Sequence, residues 1–583
     1  MKRFFAAFAA IVPLAVVPAA SGTGAPAQGF QSDAAFAASY AAAGVTSASA
    51  TTQRTSCYRP ELAYFASLNA LDGYVNGGGS LCPGFNTGED QGPYATQDAA
   101  GAANPSMLVK DHSESDIRVD PTNPFHVIGQ SKWFVNAEGY NHLLGFYESF
   151  DGGQTWPVQG HVPGYEGWTD NTDPVGAFDP WGNFYSFVLP YVFYYDKFGL
   201  HKYDNGSKQV NPNVPPEAVT IAVRPHGATT ATDWITTHSG QPDYVQTASN
   251  ADTNVQDKQW IAIDTNTASP HYGRVYLMWT LFILNPSVIY ESHADARPDG
   301  THTDWSTPRI LPTVSGKRWD TYLLPHVAPD GTVYTSTTNN PQKQDFSHAN
   351  ISVIWSTDGG VTWQGPLPVA QDVNVPTYQN TTFREGIVNT FAVGTKRVKT
   401  TGMYPLYVSY EDGSTGLSNV YLTASYDGGQ TWTTPTLVND NSGPTEALQP
   451  NLGVAPNGTA AVAFYDRRLP CPSGGAEAAA AGIAFDPLAP LGAQNYCINT
   501  AIQFYRPNLA PIGHNVRLSA HTWDPQLSAP HQDCICSSGT FIGDYFGVDS
   551  GGGYTYTSSV STFNPGDNPS FYQQQVVDKI ATP

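Results

Sequence analysis

The chain has 583 residues, of which 13% are charged, and 27 lysines and arginines against 49 aspartates and glutamates give a formal net charge of −22. A chain this acidic lacks the basic surface that binds nucleic acid, while 40% hydrophobic and 12% aromatic residues exclude a disordered acidic tail. Its 55 glycines and 46 prolines, together with many aromatics and few charges, are typical of an extracellular all-β protein.

The N-terminus has the pattern of a secretory signal peptide. Met1-Lys2-Arg3 is positively charged, an apolar run follows it, and Ala25-Pro26-Ala27 offers an A-x-A cleavage site. The apolar run is shorter than the roughly 20 residues that span a bilayer. We therefore predict a signal peptide over residues 1–27 and a secreted, extracellular protein without a membrane span. Residues 28–109 are rich in Ala, Ser, Thr, Gln and Gly, which predicts an N-terminal extension with no core of its own.

The six cysteines suit an oxidising compartment. No C-x-x-C or H-x-x-x-H spacing accompanies them, which favours structural disulfides over a zinc site. Proximity favours a Cys57–Cys82 pair and pairing of the other four near the C-terminus, although the connectivity stays open. The six are Cys57, Cys82, Cys471, Cys497, Cys534 and Cys536.

Residues 110–583 contain a strand–turn–strand unit that recurs seven times at intervals of about 64 residues, with two longer spacings. A second hairpin follows each of the first six units, and Ser570 to Val577 would supply an outer strand to the last. This pattern predicts an all-β propeller of four-stranded blades, with seven blades favoured and six left open. The turns are marked by Asp120, Asp179, Asp264, Ala328, Val393, Ala455 and Asp549.

Three of the second hairpins carry one eight-residue motif, S-x-D-G-G-x-T-W. Its copies cover residues 149–156, 356–363 and 425–432, so that the longer spacing is three times the shorter one. The glycine pair permits positive φ in a tight hairpin. The aspartate can accept hydrogen bonds from the turn, and the tryptophan can pack between sheets. We therefore expect a structural role for Asp151, Trp156, Asp358, Trp363, Asp427 and Trp432.

The motif resembles the Asp box, or BNR repeat, of sialidase-like β-propellers, and the resemblance covers roughly residues 110 to 577. It implies Asp boxes on the periphery, away from the substrate face. It also implies a glycoside hydrolase in which a tyrosine nucleophile works with carboxylates while arginines bind the carboxylate of the sugar. The family's F/Y-R-I-P motif is absent from the first blade, where Ile117-Arg118-Val119-Asp120-Pro121 is the nearest sequence.

Every loop that precedes an inner strand contains an acidic residue, and these loops surround the predicted channel mouth. The acids are Glu114, Asp173, Asp257, Asp320, Glu385, Glu446 and Asp544. We predict Asp257, Glu385 and Tyr545 as catalytic residues. The predicted substrate-binding residues are Arg318, Arg384, Asp320, Asp173, Asp544 and Trp260.

The reaction stays open at this point. An exo-sialidase-like hydrolase acting on extracellular glycans is favoured. A non-enzymatic propeller would instead bind glycan or protein through exposed aromatics, and a lyase on uronate-containing glycans would use tyrosine or histidine as its base. We expect no required cofactor. The oxygen-rich segments 170–173 and 439–441 could bind a structural Ca²⁺ ion, although neither has the spacing of an EF-hand loop. We expect a monomer.

Overall fold

A computed structural model of the chain describes residues 51–54, 111–134, 142–165, 168, 170–191, 194–195, 201–202, 215–235, 242–248, 254–283, 287–314, 319–340, 346–381, 383, 389–441, 443–469, 495–519, 522–523, 525, 541–561 and 573–583. In these ranges every regular element is a β-strand. None of the described residues belongs to a helix long and apolar enough to cross a membrane. The predicted signal peptide and the cysteines other than Cys497 lie outside these residues.

The strands form seven four-stranded antiparallel blades, which confirms the predicted seven-bladed propeller. β1 (Thr51–Arg54) comes first along the chain. Blade 1 contains β2 (Asp111–Val119), β3 (Val127–Phe134), β4 (His142–Ser149) and β5 (Val158–His161). Blade 2 contains β6 (Asp170–Phe178), β7 (Phe184–Tyr191), β10 (Glu217–Arg224) and β11 (Asp243–Ala248), with a small hairpin of β8 (Tyr194–Tyr195) and β9 (His201–Lys202) inserted.

The next blades repeat this order. Blade 3 contains β12 (Asn254–Ile263), β13 (Arg274–Ile283), β14 (Val288–Asp295) and β15 (Arg309–Ile310). Blade 4 contains β16 (Asp320–Val327), β17 (Val333–Asn339), β18 (His348–Ser356) and β19 (Gln364–Asn374). Blade 5 contains β20 (Asn389–Val393), β21 (Leu406–Asp412), β22 (Asn419–Ser425) and β23 (Thr436–Leu437). Blade 6 contains β24 (Ala447–Val454), β25 (Ala460–Asp466), β26 (Asn499–Tyr505) and β27 (Pro511–Arg517).

Blade 7 is completed by the N-terminal strand. β28 (Gly547–Gly551), β29 (Tyr554–Ser561) and β30 (Gln574–Ala581) are its first three strands, and β1 pairs with β30 as the fourth. The strand predicted over Ser570 to Val577 overlaps β30 (Gln574–Ala581), but β30 is the third strand of the blade and not the outermost one; residues 570–572 lie outside the described residues. The predicted turn residue Asp549 lies inside β28, and the turn itself is made by Gly552 and Gly553.

The three S-x-D-G-G-x-T-W hairpins connect the third and fourth strands of blades 1, 4 and 5. In the first copy the Asp151 carboxylate accepts hydrogen bonds from the Ser149 hydroxyl at 2.8 Å and from the Thr155 N–H and hydroxyl at 2.8 and 2.7 Å. Both other copies repeat this network. Both glycines of every copy have positive φ, between 71° and 91°. The turn geometry thus accounts for the serine, aspartate, glycine and threonine residues of the motif, and its tryptophans pack against the hydrophobic clusters of the core.

The core lies between neighbouring blades, because the facing sheet surfaces pack against each other. One cluster joins Tyr185, Trp279, Val353 and Val408, which belong to four successive blades. Each blade therefore buries its apolar faces only when both neighbours are present, so the ring is stabilised by its closure.

A buried polar network joins blades 1 and 2. His126 bonds Asp120 at 2.9 Å and Glu148 at 2.8 Å, and Glu148 also pairs with Arg224 of blade 2. Burial alone would lower the pKa of His126, but its two carboxylate partners outweigh burial and raise that pKa. A raised folded-state pKa stabilises the protein fully below the unfolded value of about 6.5, and the contribution disappears as the pH rises through the folded value.

We therefore expect the free energy of unfolding to fall as the pH rises from about 6.5 through the folded-state pKa of His126. His126→Gln should remove this part of the pH dependence, since glutamine does not titrate. Denaturant unfolding at a series of pH values measures the pH dependence of the free energy of unfolding for the natural protein and for the variant. Equal pH profiles for the two proteins would contradict the prediction.

Candidate functional site

A β-bulge recurs at the same end of the inner strands. In five of them the bulged residue has positive φ and lies six residues before the turn residue of its blade. These residues are Glu114, Asp173, Lys258, Tyr322 and Gln449, with φ between 45° and 56°. Such a conformation costs a non-glycine residue about 1–3 kcal/mol and is concentrated at functional sites. The fold thus places two carboxylates, a lysine, a tyrosine and a glutamine around one mouth of the central channel.

The segment before blade 7 also contains a residue with positive φ, and this residue is a glycine. Gly543 has φ of 98°, and a Cβ atom there would lie 2.6 Å from the backbone nitrogen of Glu114. The backbone ahead of β28 can therefore approach β2 only because residue 543 is glycine. This contact closes the mouth between the last blade and the first.

Two lysines connect four carboxylates at this mouth. Lys132 Nζ lies 3.1 Å from Glu114 Oε2 and 3.9 Å from Asp173 Oδ1. Lys258 Nζ lies 2.6 Å from Asp544 Oδ2, 3.5 Å from Asp257 Oδ2 and 3.7 Å from Asp173 Oδ2. These six residues, called the mouth cluster below, come from blades 1, 2 and 3 and from the segment before blade 7.

The pKa values of Glu114 and Asp173 are shifted in opposite directions. Burial raises the pKa of Glu114 well above its usual range, and the nearby charge of Asp173 raises it further. Burial opposes ionisation of Asp173 as well, but the charges of Lys258 and Lys132 and a hydrogen bond from Glu114 hold its pKa well below the usual range. Glu114 is therefore the member of the pair that keeps its proton to the higher pH, and it donates a hydrogen bond to the Asp173 carboxylate.

Asp257 is the most exposed carboxylate that Lys258 contacts, with 28% of its side-chain surface accessible against 8% for Asp173 and 2% for Asp544. Burial of the carboxyl and the charge of Asp173 raise its pKa to about 6, against the opposing effect of Lys258. Lys258 itself remains a cation, because its three carboxylate partners outweigh burial and raise its pKa well above the usual range. The cluster therefore combines Asp257, a solvent-accessible carboxyl group with a raised pKa, with Asp173, a carboxylate that stays ionised.

The predicted catalytic phenol is packed inside the channel wall. Tyr545 donates a hydrogen bond from its hydroxyl to the Pro174 carbonyl at 2.9 Å, and its ring lies edge-on to Trp260 at 5.2 Å. Burial raises the pKa of Tyr545 well above its usual range. The hydroxyl of Tyr545 is thus used in a structural hydrogen bond. Tyr322, at one of the bulges around the mouth, is half-buried.

The other predicted residues divide into three groups. Asp173, Asp257 and Asp544 meet in the mouth cluster. Asp320 is buried at the start of β16, and Glu446 forms a fully buried ion pair with Arg467 at 2.7 Å, which gives Glu446 a structural role. Arg318, Arg384 and Glu385 lie outside the described residues. Within the described part of the chain, no cluster of three or more His, Cys, Asp or Glu side chains forms a metal site.

Sequence reasoning missed the cations of the mouth cluster. Lys258 could have been found, since it lies six residues before Asp264, at the same offset that separates Asp173 from Asp179. Lys132 carries no such signal. It lies on β3, the second strand of blade 1, and only the packing of blades 1 and 2 brings it to Glu114 and Asp173.

No family model matches the chain, and no curated protein matches it either. Solved structures similar to it include a protein of unknown function from Dyadobacter fermentans, with 11% identity, a TM-score of 0.39, and coverage of 81% of this chain and 95% of that one. The NanB sialidase from Streptococcus pneumoniae has 11% identity and a TM-score of 0.35, with 81% and 69% coverage. An α-L-arabinanase from Penicillium chrysogenum has 12% identity and a TM-score of 0.36, with 70% and 92% coverage. Sialidases are thus among the propellers to which the chain is similar.

Proposed function

We propose that this protein is a secreted glycoside hydrolase that cleaves extracellular glycans at the mouth cluster. The observation that carries the proposal is the pair formed by Asp173 and Asp257 on two sides of Lys258, one ionised and the other with a pKa of about 6. Hydrolysis of a glycosidic bond needs one ionised and one protonated carboxyl group. The ionised carboxylate attacks the anomeric carbon or activates water, and the carboxylic acid protonates the leaving oxygen.

The spacing of the pair suits this chemistry. The Asp173 and Asp257 oxygens lie 3.7 and 3.5 Å from the same Lys258 Nζ. They can therefore be no more than about 7 Å apart, a limit that includes the ~5–5.5 Å typical of retaining enzymes and the shortest spacings, ~6.5 Å, of inverting ones. Both stereochemical outcomes are compatible with this limit.

Each residue of the cluster then has a role. Asp257 is the general acid, because it is the reachable carboxyl with the raised pKa. Asp173 is the nucleophile, or the base that activates water, because it stays ionised. Glu114 is a positioning residue that donates a hydrogen bond to Asp173, and Lys132 and Lys258 keep that carboxylate charged. A preference for sialic acid would depend on Arg318 and Arg384, and it stays a prediction.

A glycan panel tests the function. The purified mature protein is incubated with neutral and sialylated oligosaccharides and with arabinan and other polysaccharides, and both binding and released reducing sugar are measured. Release of sugar from at least one glycan is the expected result. Binding without release from any glycan would overturn the proposal in favour of a non-enzymatic glycan-binding propeller.

The rate should depend on pH in a defined way. Because Asp257 must carry a proton to act as the acid, kcat/KM should fall as the pH rises above about 6. On the acid side the rate should fall only below the usual range of aspartate, because Asp173 has to lose its charge there. A pH–rate profile of the purified protein measures both limbs, and a constant kcat/KM between pH 5 and pH 8 would contradict the assignment.

A further inference from the structure

The central channel contains a cavity of about 300 Å³, which is lined by residues of all seven inner strands. Asp544, Tyr545 and Gln449 line it near the mouth cluster, and Arg118 and His326 line it near the turn ends of β2 and β16. Ligand pockets of proteins begin at about 300 Å³. The cavity is therefore large enough for one small ring molecule and too small for an oligomer.

Arg118 supplies donors to this space. Its Nε donates to the Gly176 carbonyl at 2.6 Å, its Nη1 to the Ile117 carbonyl at 3.0 Å, and its Nη2 lies 2.9 Å from Asp116 Oδ1. A guanidinium has five N–H groups, so these contacts leave one hydrogen on each Nη atom. The side chain is 19% exposed although it lies in the channel, so a ligand can reach it.

His326 supplies an acceptor. Its Nδ1 lies 3.3 Å from the Leu324 carbonyl, which places the ring proton on Nδ1 and leaves Nε2 with a free lone pair. Burial lowers the pKa of His326 to about 4, so the ring is neutral at physiological pH. Its edge-to-face contact with Phe391, at 5.7 Å between ring centres, fixes its orientation.

The walls between these polar groups are largely aromatic and aliphatic. Trp260, Phe391 and Tyr545 line the cavity together with Leu324 and Leu452. Aromatic faces pack well against the C–H faces of sugar rings, whose hydroxyl groups both donate and accept hydrogen bonds. We propose that the central channel is a second binding site, distinct from the mouth cluster, for a single uncharged sugar ring held between Arg118 and His326.

The charges of the channel favour an uncharged ligand. An anion near Arg118 would also meet Asp549, which lines the cavity, and Asp116, which is bonded to Arg118. A cation would meet the Arg118 guanidinium itself. Hydroxyl groups can bond the free hydrogens of Arg118 and the lone pair of His326 without either penalty.

Isothermal titration calorimetry of the purified mature protein tests this site with glucose, galactose and arabinose as probes, and with galacturonate as the matched anion. At least one neutral sugar should bind with a dissociation constant of about 1 mM or lower. Galacturonate should bind at least about 10-fold more weakly than galactose. His326→Phe, which removes the acceptor, should lower the affinity for the neutral sugar by about 10-fold. No binding of any neutral sugar, or equal binding of galacturonate and galactose, would overturn the proposal.

Further variants separate this site from the mouth cluster. Ala177→Leu fills the cavity from a different strand and should also weaken binding, which keeps the test valid if His326→Phe does not fold. The matched control His514→Phe alters a histidine that is 70% exposed and should change nothing. If neither His326→Phe nor Ala177→Leu weakens the binding of a neutral sugar, the sugar binds outside the channel, and the channel site is refuted while the proposed hydrolase stands. Sugar binding in the channel without hydrolysis of any glycan would refute the hydrolase alone.

Discussion

Asp257→Asn should lower the rate of glycan hydrolysis by at least about 100-fold while leaving the affinity for the same glycan nearly unchanged. Asparagine keeps the shape of the side chain but cannot supply the proton that the leaving oxygen needs. An aryl glycoside with a good leaving group needs little protonation, so its hydrolysis should be far less affected. The comparison of kcat for the two substrates therefore identifies Asp257 specifically as the general acid.

The matched control is Asp295→Asn. Asp295 belongs to the same blade but pairs with Arg274, and its side chain is 50% exposed. This variant should keep full activity on both substrates. A fully active Asp257→Asn enzyme, or equal losses on the natural glycan and on the aryl glycoside, would refute the assigned role.

Lys258→Met should destabilise the fold by about 3–5 kcal/mol at neutral pH, because it leaves buried carboxylates without their shared cation. Asp544, Asp257 and Asp173 all lie within 3.7 Å of its Nζ, and the lysine side chain is only 10% exposed. Without the cation their pKa values should rise. The loss should therefore be largest at neutral pH and should shrink as the pH falls towards the unfolded value of about 3.9, where protonation removes the uncompensated charges.

Denaturant unfolding followed by tryptophan fluorescence measures this loss as a shift of the midpoint. Lys396→Met is the matched control, since Lys396 is exposed and donates only to the Asn457 carbonyl at 2.7 Å among the described residues; we expect a change of less than about 0.5 kcal/mol. Adding Asp544→Asn to Lys258→Met should restore part of the stability, because it neutralises the nearest carboxylate. A Lys258→Met protein as stable as the natural one would show that the cluster is open to water.

The number of blades could be predicted from the sequence because strands and turns are local structures. Turn residues such as Asp179 and Ala455 recur at a regular spacing, and each directly follows the inner strand of its blade. The fourth strand of blade 7 carried no such signal. Thr51–Arg54 is a short polar segment far from the repeats, and only its pairing with β30 makes it part of a blade.

The acidic mouth was also foreseeable in outline, since Asp173, Asp257 and Asp544 each stand just before or at the start of an inner strand. The sequence could not show which of these carboxylates would be ionised. That distinction depends on Lys132 reaching from a second strand and on Lys258 meeting Asp544, 286 residues later in the chain. Likewise, the sequence predicts Tyr545 as the catalytic phenol, but in the structure its hydroxyl donates a hydrogen bond to the Pro174 carbonyl, 371 residues away.

The sequence by itself determined the all-β class, the seven repeats and the acids Asp173, Asp257 and Asp544 ahead of or early in their inner strands, because these features follow from the order of residues within single strand–turn–strand units. The tertiary structure alone decided which acids share a lysine, which tyrosine is buried and which segment completes the ring. Those outcomes depend on distances between blades, and such distances are set only when the first and last blades meet and all seven inner strands surround one channel.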